Sequence, residues 1–231
     1  MFFDPTYFIF ILPGFLLSLW ASFRVKRAFK KYSQVPSARG LSGAEAAREM
    51  LAQAGIDGVQ IEEAHGFLSD HYNPLTKTLA LSESVYQPRS IAAIGVATHE
   101  AGHALQHARH YAPLWLRSAL VPTANIGSSI GYIVMTLGIL FASANMVLVG
   151  AVLFSAVLLF QLVTLPVEFD ASSRAKQLIV DYGIISPHER EGVDRVLNAA
   201  ALTYVAAAVS TLLTLLYFLL RAGLLGGRRD D

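Results

Sequence analysis

Three stretches of the chain, residues 7–23, 120–165 and 199–220, are apolar for long enough to cross a bilayer, which takes about 20 residues of helix. The second runs for 46 residues without a charge, enough for two spans, and Ser143-Ala144-Asn145 near its middle suits a tight hairpin. The pattern predicts four transmembrane helices.

The polar segments between them repeat differently. Ser42-Gly43-Ala44-Glu45 has the form of a capping box and opens a short helix that Gly55 stops. Residues 59–63 and 78–82 alternate with period two, and residues 66–72 read as extended up to the Asn73-Pro74 turn. These predict a small antiparallel sheet of about three strands. Ser90 begins a helix-compatible run to about Arg109, with Pro113 as its stop. Pro166 is a favoured first-turn residue and predicts a helix ending before Gly183. Ser186-Pro187-His188-Glu189 then caps the helix that leads into the last span.

Composition agrees with a membrane location. The chain is 54% hydrophobic and only 15% charged, against about 25% charged in ordinary globular chains. A net charge of +1 gives no ground for a nucleic-acid partner, and the absence of cysteine removes disulfides, thiolate metal sites and a cysteine nucleophile. Asp4 precedes the first span, and Arg24, Lys26, Arg27, Lys30 and Lys31 follow it. That order is the reverse of a cleaved signal peptide and predicts an anchor with its N-terminus outside. Residues 24–118 hold 11 of the 18 Lys and Arg and are expected in the cytoplasm, with 143–145 outside and 166–198 inside. The tail then falls outside with Arg221, Arg228 and Arg229, against the rule.

Residues 98–111 hold four of the seven histidines. His99-Glu100-Ala101-Gly102-His103 is HExxH on a predicted helix, so both imidazoles share one face and can bind one zinc ion. Glu100 points at a different angle, where a carboxylate can take the proton of a water that zinc has acidified. A catalytic zinc needs a third protein ligand. His107 competes for that place, but two helical steps carry it about 80° around the axis from His99. No glycine turns the chain before it. Glu168, directly after a long apolar span, is the preferred candidate and gives a His2Glu set. Asp170 is either a partner of a ligand histidine or a solvated helix acid. His71 or Tyr72 is a candidate donor to a tetrahedral oxyanion, on an edge strand over residues 68–72 that can take substrate as an added strand. His110 is read as interfacial or supporting, and His65 and His188 carry no argument.

Five pieces along the chain together resemble the YugP-like family of neutral membrane zinc metallopeptidases. They are MFFDP at 1–5, AFKKYS at 28–33, GFLSDHYNP at 66–74, the region of HEAGHALQH at 92–107, and EFDAS at 168–172. The resemblance implies zinc ligation by His99 and His103 and a base role for Glu100. EFDAS is where similar membrane zincins supply the third ligand, which favours Glu168. Two departures stand out. Ser172 occupies the place where the broader pattern often has Asp, with Asp170 two residues earlier, and Asn73 stands where relatives carry Asp.

The resulting expectation is an α-helical multi-pass membrane protein with a small α+β zincin-like catalytic domain at the membrane surface. It divides into an anchor (1–23), a catalytic region (24–118), a transmembrane hairpin (119–165), a ligand-bearing helix and connector (166–198), and a final span and tail (199–231). The expected activity is zinc-dependent endopeptidase action, with one Zn2+, on protein or peptide substrates at the cytoplasmic face of the cell membrane. The alternatives are a zinc hydrolase of another amide or ester, and a non-catalytic metal-containing membrane protein.

Overall fold

The computed structural model describes residues 5–66 and 69–225. Asp4, residues 67–68 at the start of the expected edge strand, and Arg228 and Arg229 lie outside the described residues. Among the described residues eight α-helices and three strands follow in the order α1 (Pro5–Tyr32), α2 (Gly43–Gln53), β1 (Gln60–Ala64), β2 (His71–Asn73), β3 (Thr78–Ser82), α3 (Glu83–Tyr86), α4 (Ile91–Ala108), α5 (Ala112–Ile126), α6 (Tyr132–Leu140), α7 (Ala144–Asp181) and α8 (Arg190–Arg221). A π-helical stretch, Gly127–Gly131, joins α5 to α6. Among the described residues four helical segments are long and apolar enough to cross a membrane: Pro5–Tyr32, Ala112–Leu140, Ala144–Asp181 and Arg190–Arg221.

The chain forms two compact units. One comprises the residues up to Ala21, Leu116–Leu165 and the residues from Thr203 on; the other comprises Ser22–Trp115 and Pro166–Leu202.

In the first unit α6 and α7 form an antiparallel hairpin. Close approach is possible because glycines face backbone. A Cβ on Gly131 would lie 2.7 Å from the Phe154 nitrogen, and one on Gly150 would lie 2.5 Å from the Met135 nitrogen. Small residues at such crossings are how membrane helices gain packing energy when lipid offers no hydrophobic drive. Met135, Val147, Phe154, Tyr217 and Phe218 fill the centre of this unit. On α8, the Ser210 hydroxyl donates to the Gly14 carbonyl of α1 at 2.9 Å and lies 3.0 Å from the Ser18 hydroxyl.

In the second unit α4 is the central element. Its apolar residues Ile91, Ala92, Ile94, Ala97, Ala101, Ala104 and Leu105 are all buried, packed with Met50 of α2, Leu79 and Leu81 of β3, Ile179 of α7 and Val193 of α8. Ser90 caps α4 by accepting from the Ala93 N–H. The capping box of α2 is complete: the Glu45 N–H donates to Ser42 Oγ at 3.2 Å, and the Ser42 N–H donates to the Glu45 carboxylate at 2.8 Å. The helix then ends at Gln53, just before Gly55.

Several expectations need correction. The sheet is mixed rather than antiparallel: its order is β1-β3-β2, with β1 parallel to β3 and β2 antiparallel to it. Alternation identifies strands but not their partners, and here the first strand skips the second. Pro113 does not stop α4; that helix ends at Ala108, His110 takes a left-handed φ of +53°, and Pro113 sits in the first turn of α5. Pro166 starts no new helix. It lies inside the continuous α7, where it lacks the N–H to bond the carbonyl of Leu162. The hairpin bend falls over residues 141–143, with Ala142 at φ +51°, and α7 has already begun at Ala144.

Candidate metal centre

His99 and His103 project from one face of α4, one turn apart, and Glu168 comes from α7. Their three ligand atoms lie within 4.8 Å of one another. Glu168 Oε2 is 3.1 Å from His99 Nε2 and 3.6 Å from His103 Nε2. Side-chain exposures are 13%, 8% and 2% for His99, His103 and Glu168, so the cluster is nearly closed to bulk water.

Glycine lets the two helices meet here. A Cβ on Gly102 would fall 2.7 Å from the Ala171 carbonyl oxygen of α7. Glu168 sits one turn before Ala171 on that helix, so the contact sets its distance from the histidines.

The spacing suits a metal. Zinc–nitrogen and zinc–oxygen bonds of about 2.0–2.2 Å at tetrahedral angles place neighbouring ligand atoms about 3.3–3.5 Å apart. The observed 3.1 and 3.6 Å bracket that value. Two imidazoles and a carboxylate are also the donor set zinc takes in hydrolytic sites. Among the described residues no other group of three or more His, Asp or Glu is arranged in this way.

The outer nitrogens of both rings are occupied. His99 Nδ1 is 3.1 Å from the Ser172 hydroxyl. His103 Nδ1 is 2.9 Å from Gln106 Oε1. Gln106 Nε2 in turn donates to the Val167 carbonyl and to Asp170 Oδ2, each at 2.8 Å. Arg174 closes the line with bonds of 2.6 and 3.1 Å to the Asp170 carboxylate, and its guanidinium lies over the Tyr111 ring. Such partners orient ligand histidines and raise their basicity. Burial opposes a charged His103 ring, but its bond to Glu168, the charges of Glu100 and Glu168 and the bond to Gln106 outweigh it and hold the pKa above the ordinary histidine range.

The remaining candidates are not part of the three-ligand group. His107 is engaged by Tyr72, whose hydroxyl is 2.9 Å from its Nδ1; burial raises the Tyr72 phenol, so its O–H stays in place. Tyr72 and His71 both belong to β2, an edge of the sheet. His71 is exposed and donates through Nδ1 to the Ser69 carbonyl at 2.8 Å. Asp170 reaches His103 only through Gln106. Glu100 sits half-buried on α4 directly after His99. His65 pairs with Glu83 at the surface, and His110 and His188 are exposed. The reading of the sequence passed over Gln106 and Gly102. The available signal for Gln106 was an amide one turn after His103 on the same helix, and for Gly102 a glycine between two ligands in the middle of a helix.

Comparison with known proteins fits this centre. The family described as "Putative neutral zinc metallopeptidase" matches residues 7–223. The chain belongs to that family. It is 50% identical over 214 residues to the "Putative membrane protease YugP" of Bacillus subtilis (strain 168), covering 92% of this chain and 95% of that one. No solved structure matches.

Proposed function

We propose that the chain is a membrane-embedded zinc metalloendopeptidase that cleaves protein segments close to the cytoplasmic membrane surface. His99, His103 and Glu168 hold the metal and Glu100 is the general base. The observation that carries the reading is the convergence of three ligand atoms, from two helices, within 4.8 Å in a nearly closed site. Zinc, when bound, supplies a Lewis acid that polarises a carbonyl and acidifies water. The chain's own residues do the rest. The Glu100 carboxylate accepts the proton of the attacking water and returns it to the leaving amine. Ser172 and Gln106 hold the two imidazoles in place from behind.

The length and charge pattern of α7 support this location. Its 38 residues span about 57 Å, well beyond the roughly 30 Å of hydrocarbon. Residues 144–165 carry no charge, whereas Glu168, Asp170, Arg174, Lys176 and Asp181 follow. The uncharged part is the span, and Glu168 lies just past its end. Orientation rests on the basic residues, 11 of 18 falling in residues 24–118. Substrates are therefore membrane proteins or unfolded segments near that surface.

The test is cleavage of an unfolded model protein by purified, zinc-loaded wild type beside Glu100→Gln in the same detergent. Cleavage by wild type alone, with equal zinc in both, is the expected result. Zinc bound but no cleavage by wild type, of either the soluble protein or membrane-inserted substrates, would overturn the peptidase reading and favour another hydrolase or a non-catalytic role. Tags at each end, probed with external protease on intact cells, test the orientation.

A further inference from the structure

Gln106 is fully buried, and its partners decide which way its amide points. An amide has one end that only donates and one that only accepts, of nearly equal shape. The nitrogen end lies between the Val167 carbonyl and the Asp170 carboxylate, both at 2.8 Å. Both are acceptors, since Arg174 holds Asp170 as a carboxylate with two bonds. Turning the amide over would set its oxygen against both acceptors at 2.8 Å, oxygen facing oxygen with no proton between, and bury the amide nitrogen away from them. The oxygen end therefore faces His103 Nδ1 at 2.9 Å, and that nitrogen must carry the ring proton. In the neutral ring that binds a metal, Nε2 is then the lone-pair nitrogen, and it is the one 3.6 Å from Glu168.

We propose that Gln106, fixed by Asp170 and Arg174, is the positioning residue that commits His103 to metal binding through Nε2 and fastens it to the α7 backbone beside Glu168. Val167 precedes Glu168, so one amide holds both a ligand of α4 and the segment bearing the ligand of α7. His99 has no such lock: the Ser172 hydroxyl can donate or accept and leaves its tautomer free. The proposal rests on the metal-centre reading above, and its test does not depend on turnover.

The experiment measures metal retention and the visible spectrum of the cobalt-loaded full-length protein in detergent, with melting of the metal-free form as the measure of folding. Gln106→Met keeps the volume and removes all three hydrogen bonds. Gln106→Glu keeps the acceptor for His103 but sets a carboxylate against Asp170 and the Val167 carbonyl. Each is expected to weaken metal retention about 10- to 100-fold and to change the cobalt spectrum. Adding Asp170→Asn to Gln106→Glu supplies a donor where the clash was, and is expected to restore most of the retention and the wild-type spectrum. A packing role predicts no such rescue. Wild-type retention and spectrum in Gln106→Met would overturn the proposal, as would failure of Asp170→Asn to rescue Gln106→Glu while the metal-free proteins melt alike. If Gln106→Met does not fold, the rescue pair decides. Absence of metal binding by wild type itself would instead strike the underlying reading of the centre.

Discussion

Gly102→Ala adds one methyl group to the metal helix. In an isolated helix that change stabilises by about 1 kcal/mol, because alanine loses less backbone entropy than glycine. Here the new Cβ would stand 2.7 Å from the Ala171 carbonyl oxygen, 3.2 Å from its carbonyl carbon and 3.3 Å from its Cα. The obstacle is backbone and cannot turn aside as a side chain would. To reach ordinary contact the helices must part by roughly half an ångström or more. Overpacking of this kind costs about 1–3 kcal/mol, so the metal-free protein should lose about 0–2 kcal/mol net once the helical gain is counted. The effect on metal should be larger in proportion. Ligand distances tolerate only about 0.2 Å, and the displaced element carries Glu168. At least about a tenfold loss of zinc affinity is expected, comparable to losing a supporting hydrogen bond. Gly95→Ala, seven residues earlier on α4, is the control: its Cβ would meet no backbone closer than 3.8 Å and only a Val193 methyl at 3.3 Å, a contact relieved by a shift of a few tenths of an ångström. It should melt at or above wild type and keep full zinc affinity. Zinc competition against a chelator, with melting of both apo proteins in one detergent, makes the measurement. Wild-type zinc affinity in Gly102→Ala would refute the reasoning that this crossing sets the ligand geometry.

Other outcomes follow from the same contacts. Alanine at His99, His103 or Glu168 should each remove stoichiometric zinc by elemental analysis, whereas His107→Ala, which loses only the Tyr72 bond, should retain it. Ser42→Ala breaks the capping box of α2 and should cost about 1 kcal/mol in thermal or denaturant unfolding without changing zinc content. Gly150→Leu meets the Met135 backbone and should destabilise the α6–α7 hairpin, read as loss of folded protein on detergent gel filtration. Asp70 accepts from the Ser82 N–H and hydroxyl, yet burial outweighs those bonds and holds its carboxyl above the usual range. A raised folded-state pKa means the folded protein binds that proton more tightly. Its contribution is fullest in acid and falls as pH rises through the window between the unfolded and folded values, so Asp70→Asn should flatten that part of a melting-against-pH curve.

How far the molecule could be read from its sequence follows from the range of each interaction. The four apolar helices were legible because a long uncharged run has one physical outcome in lipid. The pair of α4 histidines was legible for a similar reason: residues four apart share a helical face wherever the helix lies. The α2 capping box is equally local. Strand pairing is not, and alternation in residues 59–63 and 78–82 could not reveal that β1 passes over β2 to lie parallel with β3. At Pro166 a local rule misled. Proline suits a first turn, but α7 runs unbroken on both sides of it, as membrane helices permit. Gln106 shows the limit most clearly. Between Leu105 and His107 it looks like any surface amide, and only Val167 and Asp170, about 60 residues away in the chain, give its nitrogen partners and so turn its oxygen to His103. The two histidines repeat along one helix and leave a trace in spacing. The groups that fix Gln106 against His103 are recruited from α7 and leave none.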